Sequence, residues 1–269
     1  MPKSSAEKRA AFRQLHEDGC FVLPNPWDVG SAVILQHAGY KALATTSAGM
    51  AWSLGLTDGA VSIDEVLIHL SRLAHATDLP LNADFENGFA DAPREVEANV
   101  ALAVDTGIAG ISIEDWSGRE LYGFELAVER VAAARAAIDR VAPGVVLTGR
   151  AEGFLRGAPD LDEVIRRLKA YATAGADCLY APGLREEAQV RAVVEAVAPL
   201  PVNFLSTGLP VATMAAWGVR RVSLGGALAA VAYGEMLRVA EEIASEGVFT
   251  TLVGGAKGRK PLNPIFAKS

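Results

Sequence analysis

Short apolar runs alternate with longer helix-period runs eight times along this 269-residue chain, and that alternation constrains the fold more than any other feature. The strand candidates are CFVLPN from Cys20, KALATTS from Lys41, PLNADF from Pro80, AGISIED from Ala109, GVVLTGR from Gly144, DCLYAP from Asp177, PVNFL from Pro201 and RRVSLGG from Arg220. Between them lie amphipathic stretches such as IDEVLIHLSRLAHA, APREVEANVALAVDTG and DLDEVIRRLKAYATAG. Asp28, Asp91 and Asp160 stand where a helix would be capped, and Gly39, Gly107 and Gly175 where one would close. Strands alternating with helices make parallel βαβ units, and eight of them in about 250 residues is the size of a (β/α)8 barrel. A doubly wound sheet is the alternative, but it would carry a glycine-rich phosphate turn that is not obvious here. The expected architecture is one TIM-type barrel over residues 1–269, with an N-terminal helix over 4–18 and a Gly/Pro-rich tail over 248–269. That tail would pack on a neighbouring subunit or lie loose.

Four of these runs end in polar or charged residues: Thr46 and Ser47, Asp84 and Glu86, Glu114 and Asp115, and Arg150. A buried parallel strand is apolar along its length, so acids at its end are costly unless a cation meets them. In a barrel, strand carboxyl ends face the active-site mouth, which would bring these residues together. Asp84 and Glu86 are two apart and share a face if the strand stays extended. With Glu114 they form a cluster whose repulsion a divalent cation would relieve, and all-oxygen ligands favour Mg2+ or Mn2+ over zinc. Taken singly, each acid also reads as a helix cap or a solvated loop residue. Asp58 reads as a turn residue or an outer acid of the same site.

Arg150 could fork onto a substrate carboxylate, or pair with Glu152 or a strand-end acid. Successive backbone N–H groups in TTSAG, around Thr46, Ser47 and Ala48, suit a developing oxyanion. The Leu224-Gly225-Gly226 turn sits where barrels often hold phosphate, although close helix–strand packing explains it as well. His16, His37, His69 and His75 all lie in helix-like stretches, which argues against a histidine base. Net charge is −7 without a basic run, which argues against nucleic acid. The charged N-terminus and two widely spaced cysteines, Cys20 and Cys178, suit a reducing cytoplasm.

At these residues the chain resembles the isocitrate lyase / phosphoenolpyruvate mutase superfamily over nearly its whole length. PNPWDVGSAVILQHAGYKALATTSAGMAWSLGLTDG is similar to the family's opening segment. ADFENGFAD resembles its Asp-x-Asp-x-Gly-(Phe/Tyr)-Gly metal motif, with Glu86 and Ala90 as departures, and GISIED and LTGRAE resemble two further strand ends. The resemblance implies that Asp84 ligates Mg2+ directly while Asp58, Glu86 and Glu114 hold its waters. It implies that Arg150 grips the substrate carboxylate and that the amides of Thr46, Ser47 and Ala48 face the substrate oxygen. Family members break or form C–C or P–C bonds beside an α-oxo acid through an enolate, commonly as homotetramers that exchange their last helix.

The family's lyases carry a Lys-Lys-Cys-Gly-His loop whose cysteine is the acid. Here that place reads WSGRELYGFELAVERV, without Cys, His or Lys. Tyr122 is the preferred substitute acid, since a phenol is protonated at neutral pH, with an aromatic plug as its structural alternative and Glu120 or water as fallbacks. The loop from Trp116 to Tyr122 and the region of Asn203 would shape the substrate pocket. Three functions stay open at this point: a lyase or decarboxylase of a small oxo or hydroxy carboxylate, P–C chemistry of the phosphonomutase or hydrolase type, and a non-catalytic oxo-acid-binding barrel.

Overall fold

The structure, a computed structural model, describes residues 2–267. Among the described residues, eight parallel strands form one sheet: β1 (Phe21–Leu23), β2 (Leu43–Ala44), β3 (Leu81–Asp84), β4 (Gly110–Glu114), β5 (Val146–Arg150), β6 (Cys178–Tyr180), β7 (Val202–Leu205) and β8 (Arg221–Ser223). The helices are α1 (Ser5–Leu15), α2 (Val29–His37), α3 (Ser47–Ser53), α4 (Ile63–Ala76), α5 (Pro93–Asp105), α6 (Phe124–Val141), α7 (Leu161–Thr173), α8 (Glu187–Val197), α9 (Val211–Ala216), α10 (Ala227–Glu246) and α11 (Thr250–Phe266). The sheet order runs β1-β8-β7-β6-β5-β4-β3-β2, and a single backbone bond from Ala44 N–H to the Pro24 carbonyl (3.0 Å) spans the remaining gap. The result is a nearly closed (β/α)8 barrel, as the alternation of runs requires.

Local chemistry explains most of the boundaries. Asp28 and Asp160 cap α2 and α7 through their carboxylates, and Gly39, Gly107 and Gly175 follow α2, α5 and α7 with φ of 88°, 95° and 102°, a left-handed turn that a side chain would strain. Asp91 is not the cap of α5: Ala92 holds that position without a side-chain bond. The Asp91 carboxylate instead accepts the Tyr122 hydroxyl.

Apolar faces of the helices and outward strand residues make the main core, from Leu70 and Leu81 through Ile111 and Leu147 to Val193 and Phe204. A second cluster, Phe12 with Leu23, Ala42, Ala44, Ala109, Val146 and Cys178, fills the barrel floor, where α1 plugs the amino-terminal end. Gly110 is obligatory there, because a Cβ would lie 2.5 Å from Phe12 Cε1. Polarity is thereby left to the opposite, carboxyl-terminal end.

The Gly/Pro-rich run, expected to pack on a neighbouring subunit or lie loose, is helical over Thr250–Phe266. α11 carries Pro261 and Pro264 inside it and packs against α2. Lys268 and Ser269 lie outside the described residues. No described helix is long and apolar enough to cross a membrane.

Candidate active site at the barrel mouth

Strand register assembles the site. Glu114 of β4 pairs with Arg150 of β5, Arg150 with Tyr180 of β6, Tyr180 with Asn203 of β7, and Asn203 with Arg221 of β8. These residues form one row around the mouth of a cavity of about 950 Å3. Thr46, Ser47, Ala48, Asp58, Asp84, Glu86, Glu114, Arg150 and Asn203 all line it, so the strand-end residues do converge. No histidine, cysteine or lysine is among its lining residues.

Arg150 sits at the centre, its side chain only 12% exposed. Its Nη1 lies 2.8 Å from Asp84 Oδ1 and 3.1 Å from Glu114 Oε2, while Nη2 and Nε lie 2.8 and 3.0 Å from Glu152 Oε1. The ion-pair reading of this arginine is therefore realised, with three acids rather than one. Arg156 approaches from the next turn, 3.8 Å from Glu114 and 3.5 Å from Glu152. Burial works against the Arg150 charge, but Glu114, Glu152 and Asp84 outweigh it and hold the guanidinium protonated well above its ordinary range.

Acids remain in excess. Asp84, Glu114, Glu152, Glu86 and Asp58 stand against Arg150 and Arg156, and among the described residues the Glu86 carboxylate meets no hydrogen-bond donor, only its backbone carbonyl accepting the Glu114 N–H (3.0 Å). Glu86 also adopts a left-handed backbone (φ 46°) that turns the chain out of β3. Burial, then repulsion from Asp84 and Asp58, pushes its carboxyl up to about 7. Burial likewise raises Glu114 despite the opposing pull of Arg150. This surplus of oxygen donors fits a hard divalent cation. Among the described residues, no three acidic, histidine or cysteine side chains converge at ligand distance, because Arg150 stands between Asp84, Glu114 and Glu152. A bound ion would thus have few direct protein ligands.

The turn after β2 is partly committed. The Ser47 N–H donates to Asp84 Oδ2 (3.2 Å), which orients that carboxylate, and the Thr46 hydroxyl caps α3 by accepting from Gly49 N–H (3.3 Å). In the turn after β8, the Leu224 and Gly225 N–H groups both donate to Asn25 Oδ1 (2.8 and 2.9 Å). These two amides serve packing rather than an anion.

Of the two roles the sequence offers Tyr122, the geometry matches the aromatic plug. It is buried outside the cavity lining, donates its hydroxyl to Asp91, accepts from Asn87 Nδ2 (3.0 Å) and carries the Arg130 guanidinium 4.0 Å from its ring centroid. It is a structural plug whose phenolic proton is already bonded. Glu120 is also absent from the lining, and its loop closes on itself through Ser117.

Asp115, which the sequence offers as a supporting acid or a loop cap, is fully engaged behind the site, accepting from Glu152 N–H (2.8 Å), Arg167 Nη1 (3.0 Å) and the Tyr171 hydroxyl (2.7 Å). Three contributors escaped the sequence reading. Tyr180, Ser223 and Arg221 also line the cavity. Their signal was present, because Tyr180 and Arg221 lie in strand runs in register with Arg150 or Asn203, and Ser223 stands two residues beyond Arg221.

The sequence model of the family described as phosphoenolpyruvate phosphomutase matches residues 12–244. A 2-methylisocitrate lyase of Halalkalibacterium halodurans is 30% identical over 219 residues, covering 77% of this chain and 71% of its own. A lyase/mutase structure from Burkholderia cenocepacia J2315 is 46% identical with a TM-score of 0.93, over 98% of this chain and 97% of that one. The structure of oxaloacetate acetylhydrolase with its product oxalate is 27% identical with a TM-score of 0.86, over 98% and 94% of the two chains.

Proposed function

We propose that this chain, which belongs to the phosphoenolpyruvate phosphomutase family, is a Mg2+-dependent lyase that cleaves a C–C bond beside the α-oxo or hydroxy centre of a small carboxylate. The observation that supports this most is the buried Arg150 held among Asp84, Glu114 and Glu152 at the rim of a cavity with acids to spare. Asp84 would hold the ion directly, with Asp58, Glu86 and Glu114 reaching it through waters. When bound, Mg2+ supplies positive charge against the oxyanion that develops as the bond breaks.

The chain's own groups do the rest. Arg150 offers a planar fork to a substrate carboxylate by exchanging one of its acidic partners for it. The Ser47 N–H keeps Asp84 turned toward the mouth, and the adjacent Ala48 borders the same space. Asn203, its amide fixed by Arg221 and Ser223, borders the pocket from the opposite wall. Trp116 and Ser117 lie over one side, with Arg156 stacked 4.8 Å from the Trp116 ring centroid, and limit water there. The absence of a lining lysine favours carboxylate over phosphonate chemistry. A homo-oligomer would cover the apolar side chains that α10 and α11 expose, among them Val231 (70%) and Val253 (74%).

The test is a Mg2+-dependent screen of oxo and hydroxy carboxylates beside phosphonates, read by release of pyruvate, glyoxylate or phosphate. The expected result is carboxylate cleavage that Asp84→Ala abolishes without unfolding the barrel. Phosphate release would move the assignment to P–C chemistry. Undiminished turnover in excess EDTA would overturn the metal assignment.

A further inference from the structure

Cleavage toward an enolate leaves a carbon that must take a proton from a group within hydrogen-bond reach. Tyr122 and Glu120 do not line the cavity, and neither cysteine, histidine nor lysine does. One phenol does. Tyr180, at the end of β6, is 8% exposed, borders the cavity, and has the Arg150 guanidinium carbon 5.2 Å from its ring centroid.

The direction of its proton follows from its neighbours. Arg221 can only donate, and its Nε gives a bond to Asn203 Oδ1 at 2.8 Å, which fixes the oxygen end of that amide. Asn203 Nδ2 must then donate to Ser223 Oγ, at 3.0 Å. Ser223, having accepted there, keeps its own proton for another neighbour, and its hydroxyl pulls the Tyr180 phenol down. No described residue accepts the Tyr180 hydrogen, which is left to the cavity the ring borders. Burial keeps the phenol protonated, pushed up to about 12, with Arg150 and Ser223 pulling the other way.

We infer that Tyr180 is the catalytic acid of this site, handing its phenolic proton to the enolate carbon; the inference rests on the lyase reading above. The electron pair of the breaking C–C bond becomes the enolate, and the departing fragment leaves as CO2, or as a carbonyl compound whose hydroxyl proton passes to water. The phenolic O–H then breaks as the new C–H forms, giving a 2-oxo acid and a Tyr180 phenolate. Ser223 and Arg150 face that phenolate until water returns the proton.

Run backward, the same step removes a proton from C3 of a bound 2-oxo acid, so exchange reports it without the forward substrate. Wild-type protein with Mg2+ and 2-oxobutyrate in D2O should exchange C3 hydrogens, followed by 1H NMR. Tyr180→Phe, which keeps the ring, should slow exchange by roughly a hundredfold or more, the usual worth of a positioned acid or base. Its affinity for oxalate, a planar stand-in for the enolate, should stay within about threefold by calorimetry, since carboxylate binding is assigned to Arg150. Ser223→Ala, which keeps the phenol but frees its orientation, should slow exchange by a smaller factor. Tyr180→Phe exchanging at the wild-type rate overturns the acid, as does wild type that binds oxalate but exchanges nothing. Joint loss of exchange, oxalate binding and melting temperature in Tyr180→Phe assigns the ring a structural role and overturns it too. Wild type that neither binds oxalate nor exchanges removes the lyase reading itself.

Discussion

Asp115→Asn tests whether the carboxylate behind the site holds it together. The Asp115 side chain is 3% exposed and accepts three bonds, from Glu152 N–H, Arg167 Nη1 and the Tyr171 hydroxyl. Asparagine keeps the shape but offers one oxygen. If that oxygen stays toward Glu152, the amide NH2 faces Tyr171, whose hydroxyl can turn and accept, and Arg167, which can only donate. Removing one partner of a buried ion pair costs about 3–5 kcal/mol. Arg167 retains Glu163 Oε1 at 2.8 Å and the Tyr122 carbonyl at 3.0 Å, so the lower end, about 3 kcal/mol, applies here. For a chain of this size that lowers Tm by roughly 6–12 °C. Calorimetry and urea unfolding at fixed protein concentration would read it. A double-mutant cycle with Arg167→Met should show at least about 1 kcal/mol of coupling. A Tm change below about 2 °C with no coupling would refute the argument.

Arg150→Lys keeps the charge but gives up the fork, so oxalate affinity should fall roughly ten- to a hundredfold, about 1.4–2.7 kcal/mol. Because the fully buried Glu152 loses both of its close Arg150 contacts, Tm should fall as well; unchanged affinity by calorimetry would return Arg150 to a purely structural role. Glu86 is raised in the folded chain, so between its ordinary range near 4.5 and about 7 the folded state holds a proton that the unfolded state has lost. Stability of the metal-free protein should therefore decline as pH rises through that window, and Glu86→Gln should flatten the decline in a Tm-against-pH series; equal slopes in the two proteins would contradict the assignment. Gly149→Ala places a Cβ 2.9 Å from Tyr171 Cβ, and such overpacking costs about 1–3 kcal/mol. Urea unfolding without a shift in midpoint would show that α7 gives way freely.

The barrel and the acid side of its mouth were legible because both rest on strand chemistry. Parallel strands are apolar until they leave the sheet, so Asp84, Glu114 and Arg150 announce themselves at the ends of their runs. Tyrosines are harder to place. Tyr122 follows a short loop whose geometry no period fixes, and the structure turns it onto Asp91, which also removes Asp91 from the expected cap. Tyr180 ends a three-residue strand, and only register with Arg150 and Asn203 reveals that it faces the cavity. The C-terminal run misled for a different reason. Glycine and proline disfavour a helix locally, yet α11 forms where its end meets α2, with Phe266 Cζ 3.9 Å from where a Gly30 Cβ would sit. Tertiary contact there overrides propensity.

The row around the mouth also explains why two buried arginines on neighbouring levels behave differently. Arg150 faces carboxylates on β3 and β4 and the acid that follows its own strand, so its charge is compensated and its partners are exchangeable. Arg221 faces only neutral groups: Asn203, Thr148 Oγ1 at 3.0 Å and His16 Nε2 at 3.3 Å. His16 Nδ1 lies 2.8 Å from the Phe12 carbonyl and must donate to it, leaving Nε2 as the acceptor. Burial and then Arg221 hold that ring neutral, its pKa pushed down to about 3, so His16 stays an acceptor for Arg221, which donates on to Asn203 and thence to Ser223, near neutral pH. The β3–β5 wall therefore gathers opposite charges that a cation and a carboxylate can exchange with. The β6–β8 wall gathers fixed dipoles that hold one hydroxyl in one orientation. On the lyase reading, heterolysis of a C–C bond needs both, a place for the developing charge and a proton for the carbon, and the register of Arg150 with Tyr180 joins the two walls at one seam of the cavity.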